Sequence, residues 1–260
     1  MKPIASATGT VINEVFGRAY ERGDRPALID LHAGLVYGYR KLVTEVTRAA
    51  SGLVRRGARR DQVVGVYVGT ACAQTLAVHT VLAAGGVAAP LDPALPEHEV
   101  VAALNACDAR TLITTRDLAG VAVRAADESR VRQVIAFGDA LDAIDFRDLL
   151  TLEPTALPAL DAKTQDALAL AGGHRVGHAD LLLRMAELER SVRLADSDVV
   201  LATWPPDGGC DLVALIAVAI ARGALVVAAN GLSPADLAGT GHDFGVTVVT
   251  GPAGVLERLG

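Results

Sequence analysis

Hydrophobic positions in this chain alternate between two rhythms. One recurs every three to four residues and marks amphipathic helices; the other is a short unbroken run and marks buried strands. Val11, Ile12, Val15, Phe16 and Tyr20 share one side of Val11–Arg22 and predict a helix. Arg25–Asp30 and Leu35–Tyr39, separated by the turn signal His32-Ala33-Gly34, predict a hairpin. Leu42, Val43, Val46, Ala49, Ala50, Leu53 and Val54 form a stripe that predicts a helix over Arg40–Arg56, ended by Gly57.

A regular alternation follows. Strands are predicted at Val63–Val68, Val87–Leu91, Arg110–Thr114 and Val131–Phe137. Between them lie helical stretches at Ala73–Ala84, Pro96–Ala106 and Asp117–Ala126. The stretch Ala140–Lys163, with Pro154, Pro158 and several acids, reads as a link. Beyond it the alternation resumes. Strands are predicted at Asp166–Ala171, Val199–Thr203, Ala224–Ala229 and Val246–Thr250, and helices at Ala179–Leu194, Asp211–Ala221, from Pro234, and at Ala253–Leu259. Short buried strands alternating with helices indicate an α/β fold of mainly parallel sheet with crossover helices. Two βαβ units of similar layout, from Asp61 to Pro93 and from Ser197 to Pro234, suggest two lobes, expected at residues 1–160 and 161–260. The units are either a true duplication or two instances of a common motif.

Composition narrows the classes. With 51% hydrophobic and 21% charged residues the 260-residue chain has ample material for a core, and the composition argues against disorder. Aromatics are only 3%, so the core is built from small aliphatic side chains. A net charge of −6 argues against a nucleic-acid binder. The longest apolar run, Leu212–Ala221, is too short to span a bilayer and reads as a buried helix. Cys72, Cys107 and Cys210 are isolated from one another, and the first residues lack a long apolar segment, so a reducing, cytoplasmic setting is expected.

Candidate chemistry concentrates in Asp166–Leu183. A strand, the break Gly172-Gly173 and a helix start can present backbone N–H groups to an anion. His174 and Arg175 could assist there, but an ordinary surface turn is the favoured reading. His174 and His178 stand four apart with Gly177 between them and no third ligand, so no metal site is expected. Cys210 precedes a helix start, where a thiolate would be stabilised, yet a buried small hydrophobe is the commoner role. Asp207 and Asp211 could hold a cation or cap a helix. Trp204-Pro205-Pro206 could line a pocket or simply leave a strand end. His79, in an apolar helix, reads as a packed residue. The cluster Arg55, Arg56, Arg59 and Arg60 could be an anion patch, though a solvated helix end is favoured.

One ordered set of segments is more specific. Ala27–Asp30, Tyr37-Gly38-Tyr39, Leu53–Gly57 and Asp61–Val64 come first. Val81–Pro93 reads Val-Leu-Ala-Ala-Gly-Gly-Val-Ala-Ala-Pro-Leu-Asp-Pro, and Pro96 and Asp108–Thr114 follow. Together they resemble the adenylate-forming (AMP-binding) superfamily, which includes acyl-CoA synthetases, 4-coumarate–CoA-type ligases and peptide-synthetase adenylation domains. Ser197–Val200, Trp204-Pro205-Pro206, Gly223-Ala224, Val246–Val249 and Gly251-Pro252 continue the layout.

The resemblance implies a loop rich in Ser, Thr and Gly, ending in Pro-Lys-Gly, between the strand at Leu168 and the helix start His178-Ala179-Asp180-Leu181. In its place stands Ala171-Gly172-Gly173-His174-Arg175-Val176-Gly177, without Ser, Thr or Lys. Gly172, Gly173, His174 and Arg175 are therefore a weak remnant of a phosphate loop, and no catalytic residue is expected. A carboxylate, Asp207, falls near the family's later histidine. The family's metal-site, ribose-binding and lid segments are expected after Gly260, so the resemblance covers roughly its N-terminal half. It implies a truncated, non-catalytic relative that binds a small ligand or a protein: a second copy of itself, or another protein such as a full-length family member. The alternative is one half of a split acid–CoA ligase. No cofactor is expected unless that alternative holds, in which case ATP/AMP or CoA would bind.

Overall fold

The computed structural model describes residues 9–31, 33–202, 210–229, 234–250 and 256–258. The chain opens with α1 (Val11–Phe16) and α2 (Ala19–Arg22), one predicted helix interrupted around Gly17. Thr10 caps α1 by accepting from the Asn13 N–H. Strands β1 (Pro26–Asp30) and β2 (Leu35–Gly38) form the expected antiparallel hairpin, and α3 (Tyr39–Arg55) follows.

The alternation then appears as predicted. It runs β3 (Val63–Tyr67), α4 (Ala71–Ala83), β4 (Val87–Leu91), α5 (Glu97–Ala106), β5 (Thr111–Thr115), α6 (Ala119–Asp127) and β6 (Gln133–Phe137). The presumed link contains structure of its own: β7 (Ile144–Asp145) and α7 (Phe146–Thr151), whose Phe146 and Leu149 are buried. Next come β8 (Asp166–Ala169), a 3-10 turn (Ala171–Gly173), β9 (Arg175–Gly177) and α8 (His178–Val192). The chain continues with β10 (Val199–Ala202), α9 (Cys210–Arg222), β11 (Leu225–Ala228), α10 (Pro234–Asp243), β12 (Val248–Thr250) and β13 (Leu256–Arg258). The last element corrects an expectation. Where a helix over Ala253–Leu259 was predicted, Leu256–Arg258 pair antiparallel with β12.

The strands form two mainly parallel sheets, in the orders β13-β12-β10-β11-β1-β2 and β7-β6-β5-β3-β4-β8-β9. Each therefore draws strands from both sides of residue 160. The N-terminal hairpin joins the sheet of the C-terminal third through Leu28↔Val226, and β8 joins the sheet of the first half through Ala88↔Leu168. The two βαβ units sit at the centres of different sheets, as β3–α4–β4 and β10–α9–β11.

Helices fill the space between the sheets. Every residue of α4 is buried, and the helix touches β3 and β4 of one sheet and β1 of the other. With no solvent face it carries apolar residues on all sides, and its polar ones, Gln74, Thr75, His79 and Thr80, are buried with them. The fully buried β3 shows the same logic for a parallel strand covered on both faces. Helices α5 and α6 cover the outer face of the seven-stranded sheet with Val100, Leu104, Ala122 and Ala125. Close approach sets the packing of α3 on α7: a Cβ at Gly52 would stand 2.2 Å from the Leu149 carbonyl oxygen. Arg22 donates to the carbonyls of Ile220 and Ala221, capping the end of α9, and its guanidinium lies over the Tyr39 ring. Tyr39 in turn donates its hydroxyl to Ala224 at 2.9 Å.

Candidate site at the β8–β9 turn

The stretch expected to be strand, glycine turn and helix has one more element. After β8 the chain turns through Ala171–Gly173 and returns as β9, antiparallel to β8 in the register Leu168↔Val176 and Ala169↔Arg175. The turn closes on itself: the Leu170 N–H donates to His174 O at 2.8 Å, and the Gly173 N–H to Leu170 O at 3.0 Å. Gly172 and Gly173 have φ of 75° and 80°, which explains glycine at both positions. Helix α8 starts only at His178. The two glycines thus do not form its N-terminus, and the Gly173 amide is already used within the turn.

The four expected site residues diverge. Gly172 and His174 are exposed, and Gly173 packs near the Ala106 carbonyl at the end of α5. Arg175 lies 4.0 Å from Asp166 and lines a depression of about 720 Å3. His178 is buried, and its Nδ1 accepts the Val11 N–H at 3.4 Å. Burial lowers its pKa, which keeps the ring neutral and structural. Gln165 anchors the entrance of β8: it donates to Asp61 Oδ1, and its side-chain oxygen accepts the Asp161 N–H.

The remaining candidates take quiet roles. Cys210 is half-buried at the start of α9, and burial pushes its thiol upward. Asp211 receives two hydrogen bonds from Arg184, at 2.7 and 2.9 Å, which ties α9 to α8. His79 packs edge-on against Phe16, as read from its apolar helix. Among the described residues, no group of three His, Cys, Asp or Glu side chains could hold a metal ion, and no helix is long and apolar enough to cross a membrane. Trp204, Pro205, Pro206, Asp207, Gly208 and Gly209, which follow β10, lie outside the described residues, as do Gly251 and Pro252 after β12.

Two parallel sheets sharing a helical layer, entered through the ordered segments from Ala27 to Thr114, define the class. The chain belongs to the family described as AMP-binding enzyme, whose model matches residues 15–170. The match stops at Leu170, one residue before the turn.

Among curated proteins, the chain is 28% identical over 257 residues to a protein of Salinispora arenicola named as a probable non-canonical nonribosomal peptide synthetase (NRPS), CymA, covering 98% of this chain and 3% of that protein. It is 27% identical over 107 residues to tyrocidine synthase 3 of Brevibacillus parabrevis, covering 41% of this chain and 2% of that one. Among solved structures, a long-chain-fatty-acid-CoA ligase of Archaeoglobus fulgidus superposes with a TM-score of 0.82 at 17% identity, covering 95% of this chain and 52% of that one. An acyl-CoA synthetase of Brucella canis gives 0.81 at 16%, covering 95% and 48%. The chain thus spans about half of these solved structures and a few per cent of the curated relatives.

Proposed function

We propose that this chain is an adenylate-forming-type domain that binds but does not activate acids by itself. The observation that carries this reading is the turn between β8 and α8. Ala171–Gly177 contains no hydroxyl and no lysine, and its chain folds back as a closed hairpin. The donors that family resemblance places here would hold triphosphate oxygens as charge develops in the transition state. Losing one such preorganised donor costs about 3–4 kcal/mol in well-studied enzymes. Several are lacking together. Gly172, Gly173, His174 and Arg175 would offer at most a weak anion contact.

The test is acid-dependent ATP–pyrophosphate exchange with the purified protein across aliphatic, aromatic and amino acids. Exchange at the level of a mock preparation is the expected result; exchange clearly above it overturns the reading.

A second reading follows from the lengths. Because the chain spans about half of the solved ligases it resembles, it could work as one part of a ligase completed by another chain. Under that reading, activity appears when a co-purified partner is added, and ATP or CoA then becomes a ligand of the assembly.

A further inference from the structure

A depression of about 720 Å3 lies at the N-terminal ends of β3, β5 and β6, with Arg175 of β9 at its rim. Six arginines line it: Arg56, Arg59, Arg60, Arg110, Arg132 and Arg175. Only two carboxylates, Asp61 and Asp108, share the lining, so it carries a formal excess of four positive charges in a protein of net charge −6.

The fold enforces this crowding. The Arg132 N–H donates to Arg110 O at 2.9 Å, and the Arg110 N–H to Val63 O at 3.2 Å. Arg110 and Arg132 therefore enter neighbouring parallel strands side by side, one residue before the pair Thr111↔Gln133. Like charges opposed across strands are destabilising. The cost is only partly relieved within the molecule. Asp108 pairs with Arg110 at 3.0 Å and with Arg130 at 2.9 Å, and Asp61 lies 3.6 Å from Arg60. The guanidinium groups of Arg56, Arg59 and Arg132 have no ion-pair or hydrogen-bond partner among the described residues.

We propose that this depression binds a small molecule carrying several phosphate groups. Guanidinium forks match phosphate oxygens two at a time, and several converging forks suit a tri- or tetra-anion. The volume, about 720 Å3, lies in the range of small-molecule sites. No aromatic ring lines it, so a nucleobase gains no stacking, and the phosphates carry the recognition. The overall negative charge opposes a nucleic acid or other extended polyanion. The proposal does not depend on acid activation; of the β8–β9 stretch the site uses Arg175 alone.

Titration calorimetry with inorganic tripolyphosphate, ATP and adenosine tests the proposal. Saturable binding of tripolyphosphate is expected at about 50 mM NaCl, weakening as salt is raised to about 300 mM. ATP should bind comparably and adenosine not at all; ATP binding without tripolyphosphate binding would overturn the proposal. The variant Arg56→Ser/Arg59→Ser/Arg132→Ser removes only guanidinium groups without ion pairs, so it leaves no carboxylate stranded. Its affinity should fall about tenfold or more, with an unfolding midpoint equal to or above that of the wild type, because the opposed like charges are relieved. Absence of saturable binding at low salt, or wild-type affinity in the triple variant, would overturn the proposal. Should that variant unfold, Arg132→Ser alone replaces it, read against the same criterion.

Discussion

Replacing His79 with leucine should make folding stability less sensitive to acid. His79 is buried on α4 against Gln74, Thr75, Val78, Val213, Ile216 and the edge of Phe16. Its Nδ1–H donates to the Thr75 carbonyl at 2.7 Å, and its Nε2 has no partner among the described residues. A second proton on Nε2 would therefore be a buried charge without an acceptor. Burial lowers the pKa from 6.5 to about 4, opposed only by the Thr75 hydrogen bond.

The sign follows from linkage. Below pH 6.5 the unfolded chain takes up a proton that the native state refuses, so stability falls as pH drops from 6.5 towards 4. The full gap is worth about 3 kcal/mol, of which about 2 kcal/mol develops between roughly pH 7.5 and pH 5. Carboxylates and His178 titrate in both proteins and cancel in the comparison. Leucine keeps the apolar contacts, and the backbone helix bond to the Thr75 carbonyl remains. Urea unfolding of wild type and His79→Leu at the two pH values should show the wild type losing about 2 kcal/mol more than the variant. Stability–pH curves that run parallel within about 0.5 kcal/mol would refute the assignment of a buried neutral imidazole.

Two further perturbations probe the packing. Gly52→Ala places a methyl 2.2 Å from the Leu149 carbonyl oxygen. It should cost about 1–3 kcal/mol in chemical denaturation, and an unchanged midpoint would show that α3 and α7 do not approach so closely. Arg22→Ala removes hydrogen bonds of 2.7 and 2.6 Å to the last carbonyls of α9, together with the stacking on Tyr39. A loss of about 1–3 kcal/mol is expected. Arg22→Lys should recover only part of it, because an ammonium cannot span both carbonyls as a planar fork does. Full recovery by lysine would argue that charge alone matters.

How much of this was legible in the sequence differs from element to element. The strands β3 to β6 and their helices were read nearly residue for residue, because short apolar runs between glycine and polar breaks carry a clear period. Partnership was not legible. A fully buried strand such as Val63–Tyr67 is apolar on both faces and says nothing of its neighbours. Nothing local to Pro26–Asp30 reveals that it pairs with Leu225–Ala228, about 200 residues away. The segment Val255, Leu256, Leu259 fits a helical spacing, but the described Leu256–Arg258 instead pair antiparallel with β12, a tertiary fact. In the presumed link, Pro154 and Pro158 drew attention from the i, i+3 pair Phe146 and Leu149, which was the available signal for α7.

The arginine depression was illegible for the same reason. Arg55–Arg60 read locally as a solvated helix end, and no sequence window contains Arg110, Arg132 and Arg175 as well. The glycine turn was visible from its composition, but the short β9 behind it was not. Three residues, Arg175-Val176-Gly177, are too few to show a period.

The β8–β9 hairpin also bears on how such a turn could vary without disturbing the fold. Its ends are held by interactions that do not involve Ala171–Gly173. β8 is fixed to β4 through Ala88↔Leu168 and to the loop before β3 through Gln165 and Asp61. β9 is fixed to β8 by three register pairs, and α8 is anchored through buried His178 under α1. The turn between them is exposed at Gly172 and closed by its own backbone. Loop length at such a position changes closure entropy only slowly, about 0.6 kcal/mol per doubling. Stability therefore places little constraint on the length of the turn, while the positive φ at Gly172 and Gly173 is the one local demand it makes on residue type. On the proposed reading, that decoupling is why an adenylate-forming fold can persist with a turn that holds no triphosphate donors: the scaffold and the chemistry are carried by different residues.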